Sequence, residues 1–88
     1  MRRTFVIQNK LGLHARAAAQ LVKLAEQFGS EVKIGKDDQV VNGKSIMGLM
    51  MLAASAGSTI EVEAVGEDAE QMLDAIGELI ASKFNEEH

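Results

Sequence analysis

The segment "TIEVEAV", Thr59 to Val65, alternates without a break: Ile60, Val62 and Ala64 fall on one side, Glu61 and Glu63 on the other. A period of two is the mark of a strand. A strand with one apolar and one acidic face belongs to a sheet with one side in water, which argues for antiparallel pairing rather than a buried parallel sheet. Downstream, Asp68 to Phe84 carries Ala69, Met72, Ile76, Leu79 and Ile80 at helical spacing. That predicts a long amphipathic helix lying on the apolar side.

Upstream, "EVKI" (31–34) also alternates, and "QVV" (39–41) follows it after the turn "GKDD", so 31–41 reads as a hairpin. "TFVIQ" (4–8) is β-branched and aromatic and reads as a first strand. In "NKLGLHARAAAQLVKLAEQFG" (9–29), apolar residues at 18, 21, 22, 25 and 28 share one helical face, predicting a helix from Ala15 to Phe28 stopped by Gly29. "NGKSIMGLMMLAASAG" (42–57) holds a short helix capped by Ser45. The order βαββαβα gives an α+β fold: one sheet covered by helices on one face. The 88 residues are expected to form a single domain. The final "NEEH" reads as a frayed end in which His88 plays no part.

Composition narrows the function. The chain has no cysteine, so no disulfide or thiolate site is available, and a reducing compartment fits. A net charge of −4, three Phe and no Trp or Tyr argue against nucleic acid as a partner. "MRRTFVIQNK" lacks the apolar run of a signal peptide, and "LMMLAA" (49–54) is too short to span a bilayer. A cytoplasmic protein without membrane insertion is the expectation.

One feature breaks a local rule. Helices usually open on Ser, Thr, Asp or Asn, yet this one opens on His14, with Arg16 two residues later. Cationic groups oppose the helix dipole there by about 0.3–1 kcal/mol. The arrangement makes sense if an anion occupies the helix end. A phosphoryl group on His14 would be such an anion, held by the N–H groups of Ala15 and Arg16 and by the Arg16 guanidinium. Neutral histidine is a nucleophile near pH 7. A histidine at such a junction also serves purely structural ends.

"NGKS" (42–45) matches the end of a phosphate-binding loop, but the first glycine of that motif would fall on Asp38, which repels an anion. Ile46, Met47, Leu49, Met50, Met51 and Leu52 are too many apolar residues for a two-turn helix to bury. Leu49 and Leu52 are the core choices, Met51 core filler, and Met47 and Met50 an exposed, adaptable patch.

"GLHARAAAQLV", followed at the right distance by "NGKSIMGLMMLAASAGSTIEV", resembles the HPr family, the histidine phosphocarriers of the phosphoenolpyruvate-dependent sugar phosphotransferase system. The likeness runs from about residue 3 to residue 84. It implies an open-faced sandwich: a four-stranded antiparallel sheet covered on one face by three helices. It implies that His14 accepts a phosphoryl group from phospho-enzyme I and passes it to an enzyme IIA, with Arg16 stabilising the phosphate; at the same helix end the N–H groups of Ala15, Arg16 and Ala17 are the expected backbone donors to it. It also implies regulation by HPr kinase/phosphorylase at Ser45, and a partner interface at Ile46, Met47 and Met50. Such a carrier has no turnover of its own and needs no metal or cofactor. Two residues depart from the family pattern: Ala17 replaces a proline, and Ala53 replaces a glycine at the exit of the short helix. The rival readings are a carrier of a nitrogen-regulatory phosphotransfer branch and a module that binds an anion without covalent chemistry.

Overall fold

The structure, a computed structural model, describes residues 1–86. Its elements are β1 (Arg2–Val6), α1 (Ala15–Ala25), β2 (Glu31–Lys36), β3 (Gln39–Asn42), α2 (Ile46–Met51), β4 (Thr59–Val65), α3 (Ala69–Ala81) and a 3-10 turn (Lys83–Asn85). The sheet order is β1-β4-β2-β3, every pair antiparallel. Ile60, Val62 and Ala64 are buried, as the alternation of β4 requires. They meet Val32 and Ile34 from β2, Leu21 and Val22 from α1, Leu49 from α2, and Met72, Leu73 and Ile76 from α3 in one apolar cluster. The fold is the open-faced sandwich.

On the wet face Arg2 reaches Glu61 (3.7 Å) and Glu63 (3.4 Å). These exposed pairs add little stability, but they account for a boundary that differs from expectation. β1 lies at 2–6 rather than 4–8, because Arg2 pairs with Glu63 in register and the terminal amine donates to the Ala64 carbonyl (2.9 Å). The strand's polar lead is thus part of the sheet. α1 ends at Ala25 rather than Phe28. Its last turn tightens, with the N–H groups of Gln27 and Phe28 donating to Leu24 and Ala25 (both 3.1 Å), so Gly29 is not the stop.

Leu49 and Leu52 are buried as expected, and Met47 and Met50 are exposed. Met51 is 66% exposed, so it is not core filler. α2 has only six residues and turns one face to the core, which leaves Met51 outside with its neighbours. α3 begins at Ala69 and ends at Ala81, where the Ser82 hydroxyl donates to the Leu79 carbonyl (2.8 Å). As far as Glu86 the chain beyond it is packed rather than frayed: Phe84 is 1% exposed and Glu86 is partly buried. His88 lies outside the described residues.

Asp68 stands before α3 but ties a different part of the fold. Its carboxylate accepts from the Gly29 N–H (3.0 Å), the Ser30 N–H (3.0 Å) and the Ser30 hydroxyl, linking the entry of β2 to the start of α3. The Ser30 hydroxyl and the two backbone donors hold the carboxyl below its ordinary value against the opposing effect of burial. A lowered folded-state pKa stabilises above the unfolded value, and that stabilisation is lost as pH falls through the folded one. Asp68→Ala is therefore expected to melt below the parent at neutral pH. The gap should narrow below about pH 4, as read by circular dichroism across pH.

Ala53 sits just past the end of α2 with φ of 52°, the left-handed position that glycine favours. Ala53→Gly should therefore raise stability by about 0.5–1 kcal/mol, measured by denaturant unfolding. An unchanged or lower midpoint would contradict the assignment of strain.

Candidate functional site

The loop from Ile7 to His14 is shaped by its own hydrogen bonds. Ile7 is still paired, its N–H donating to Ser58 (2.9 Å) and its carbonyl accepting from Gly57 (2.8 Å). Asn9 is fully buried, and its Nδ2 donates to the Gly12 carbonyl (2.8 Å). The Gly12 N–H donates back to the Asn9 carbonyl (3.2 Å). Gly12 has φ of 68°, and a Cβ there would lie 2.4 Å from the Ala54 carbonyl oxygen. Only glycine fits both constraints. The next N–H, of Leu13, donates to that same oxygen (2.8 Å), and the Leu13 side chain is buried. The exit of α2 thereby fixes where α1 begins.

His14 is the N-cap of α1. Its backbone is extended, and its carbonyl accepts from the Ala18 N–H (2.8 Å). The helix end is not uncapped, because the His14 ring supplies the cap: Nδ1 accepts from the Arg16 N–H at 3.3 Å. That single long bond replaces the short side-chain oxygen cap of most helices. The other ring nitrogen, Nε2, lies 2.9 Å from Glu86 Oε2. A carboxylate only accepts, so Nε2 carries the proton and Nδ1 the lone pair; both contacts agree on one tautomer.

Glu86 Oε2 also accepts from Asn9 Nδ2 (2.6 Å). Burial pushes this carboxyl up, but the hydrogen bonds from His14, Asn9 and the Leu11 N–H, with attraction to His14, outweigh it and hold the pKa below its ordinary value. Glu86 is the neighbour of His14 that sequence reasoning missed. The one signal for it was Phe84, which extends the apolar stripe of α3 and anchors the chain just before it.

Ala15, Arg16 and Ala17 form the opening turn, whose N–H groups have no acceptor within the helix. Arg16 is exposed and, among the described residues, makes no ion pair. Ala17 is fully buried.

Ser45 caps α2, its Oγ accepting from the Gly48 N–H (3.0 Å). It does not join the His14 cluster. The preceding Lys44 donates to the Phe28 carbonyl (3.0 Å) beyond the C-terminal end of α1, whereas Ala54, past the other end of α2, touches the His14 loop. Ile46, Met47, Met50 and Met51 are exposed along the helix between these two points, and Leu11 is exposed on the His14 loop. A concavity of about 590 Å³ lies along β2 and β3 and does not include His14. Among the described residues, no group of three or more His, Cys, Asp or Glu side chains is placed to hold a metal.

A family profile described as "PTS HPr component phosphorylation site" matches residues 1–82. The chain belongs to the HPr family. The HPr from Cupriavidus necator is 50% identical over 86 residues, 98% of this chain and 97% of that protein. HPr-C-His from Thermoanaerobacter tengcongensis superposes with a TM-score of 0.95 at 45% identity, covering 100% of this chain and 99% of that one. Phosphocarrier protein NPr from Shewanella violacea is 43% identical over 86 residues, 98% of this chain and 94% of that protein. HPr proteins are phosphocarriers of the phosphotransferase system, and that general role is this chain's.

The close approach at Gly12 yields a direct test. Gly12→Ala is expected to lose about 2–3 kcal/mol, or roughly 10–20 °C in Tm. Hydrogen exchange at the Leu13 N–H should speed up in the same variant. A Tm within a few degrees of the parent would mean that this loop is not held as described.

Proposed function

We propose that His14 Nδ1 takes a phosphoryl group from phospho-enzyme I and passes it to an enzyme IIA of the sugar branch. The observation that carries this reading is the opposed bonding of the ring: Nε2 faces the Glu86 carboxylate, while Nδ1 holds its lone pair against the N–H of Arg16. The nucleophilic atom thus lies at the positive end of α1. Transfer moves only the phosphoryl group. As its oxygens arrive they displace the weak ring cap and accept from the N–H groups of Ala15, Arg16 and Ala17 and from the Arg16 guanidinium. The charge of Arg16, unfavourable at the empty helix end, becomes favourable. Donor and acceptor pockets belong to the partners, so this chain needs no cleft, metal or cofactor of its own and has no independent turnover. In this reading residues 1–88 are one carrier domain acting in the cytoplasm.

Ile46, Met47 and Met50 form the docking patch, extended by Met51 and Leu11. Ser45 stands at its far edge, where HPr kinase/phosphorylase would add about −1.5 to −2 charge. The capped helix tolerates that charge at its N-terminus, but an approaching partner must desolvate or oppose it.

The nitrogen-branch reading has one specific support, the likeness to an NPr protein. "GKSIMG", with its cap serine, favours the sugar branch, and comparing transfer rates from the enzyme I of each branch separates the two.

Incubation with phosphoenolpyruvate and enzyme I should add one acid-labile phosphoryl group by intact mass, and His14→Ala should abolish the gain while keeping the fold. No gain in the parent would favour a non-covalent anion-binding module, and an acid-labile gain in His14→Ala would overturn the assignment. Ser45→Asp should slow transfer from enzyme I by about tenfold or more, ~1.4 kcal/mol of encounter free energy, with Tm shifted by only a few degrees. A parent-like rate would place Ser45 outside the docking surface.

A further inference from the structure

Met47, Met50 and Met51 are spaced by three and four residues along α2, so their side chains share one side of the helix. All three reach water, at 75%, 45% and 66% exposure. Of the other two methionines, Met72 is fully buried. Met1 is exposed but sits at the sheet, its amine donating to the Ala64 carbonyl (2.9 Å). Three of the chain's five thioethers are thus gathered on one six-residue helix. The sequence has no Cys, Trp or Tyr, so the exposed thioethers are the side chains that a peroxide attacks first. The grip of α2 on the core does not use these sulfurs. It rests on the buried Leu49 and Leu52 and on the Ser45 cap (3.0 Å). Just beyond, Ala54 holds the Leu13 N–H (2.8 Å). Chemistry at the three sulfurs therefore changes the surface of the helix and leaves its anchors alone.

Resting on the reading of this face as the docking surface of a phosphoryl carrier, we propose that Met47, Met50 and Met51 form a reversible oxidation site, at which a hydroperoxide weakens docking without unfolding the domain. In the step a sulfur lone pair attacks the terminal oxygen of the O–O bond. An S–O bond forms and the O–O bond breaks, its electron pair going to the leaving oxygen. That oxygen takes the proton of the transferred one and departs as water or an alcohol. Sulfur loses two electrons and the peroxide gains them. The product is a sulfoxide, which puts a strong acceptor oxygen where a soft apolar atom stood. In the free protein water solvates that oxygen. In a complex it is buried against an apolar partner surface with no donor, and docking weakens. Two thiols of a sulfoxide reductase reverse the change: they supply two electrons and two protons, become a disulfide, and release the oxygen as water. His14 and its ring cap stand apart from the three sulfurs, so transfer within a formed complex is left intact.

The test treats the full chain with limiting hydrogen peroxide and locates the added oxygen by peptide mass mapping. Met47, Met50 and Met51 should be oxidised well before Met72, with Tm shifted by only a few degrees. With phospho-enzyme I as donor, the KM for the treated carrier should rise about tenfold while kcat stays within about twofold of the untreated value. Incubation with the reductases for both sulfoxide epimers and a dithiol should restore the KM. A variant carrying Met47→Leu, Met50→Leu and Met51→Leu together, compared only with its own untreated sample, should lose the response to peroxide although Met1 and His14 remain open to it. An unchanged KM in a treated parent that does take the phosphoryl group would overturn this inference alone. So would a full response in the triple variant, a collapse in Tm on oxidation, or a loss that the reductases do not reverse. An untreated parent that takes no phosphoryl group would overturn the carrier reading and this inference with it.

Discussion

The Ala54 carbonyl is the fixed point of the functional end of the molecule. It accepts the Leu13 N–H at 2.8 Å and leaves no room for a side chain on residue 12. Because the exit of α2 and the entry of α1 meet at this oxygen, the capping histidine and the methionine-bearing helix cannot be placed independently. The sheet beneath supplies the rigidity: β4 is paired on both sides, and its buried face is continuous with the apolar sides of all three helices. A group held on a rigid helix end costs less to orient at the moment of transfer than one on a free loop.

The site departs from ordinary capping for a reason that bears on chemistry. A serine or aspartate at position 14 would make a shorter, stronger cap than a ring nitrogen at 3.3 Å. The histidine gives up that stability and in return keeps a lone pair at the positive pole of α1. Arg16 adds to the same imbalance, since nothing among the described residues pairs with it. Both features are mildly unfavourable in the resting protein and, in the proposed carrier, become favourable when phosphate is present. Ala17, in place of the family's proline, adds one more N–H at that end.

Much of this was legible in the sequence because its causes are local. The alternation in 59–65 determines its own burial, and the spacing of Ala18, Leu21, Val22 and Ala25 determines the buried face of α1. His14 stood out because it broke a capping rule, and Ser45 because it obeyed one. Ala53 was visible as a residue where glycine is usual, and its positive φ shows the reason. What escaped notice depends on partners far along the chain. Glu86 meets His14 across 72 positions, through a left-handed turn that no glycine announces. Asp68 looks like the start of a helix yet serves Ser30. The shift of β1 comes from its register against β4, and Met51 is outside because a six-residue helix has only one inner face.

The central claim is that the fold presents one ring nitrogen and occupies the other. Phosphorus–nitrogen coupling in the NMR spectrum of the phosphorylated, histidine-labelled protein identifies the bonded nitrogen directly. The account predicts coupling to His14 Nδ1 alone, with the proton retained on Nε2. A phosphoryl group bonded to Nε2 would contradict it, because that atom faces the Glu86 carboxylate and points away from the donors at the start of α1.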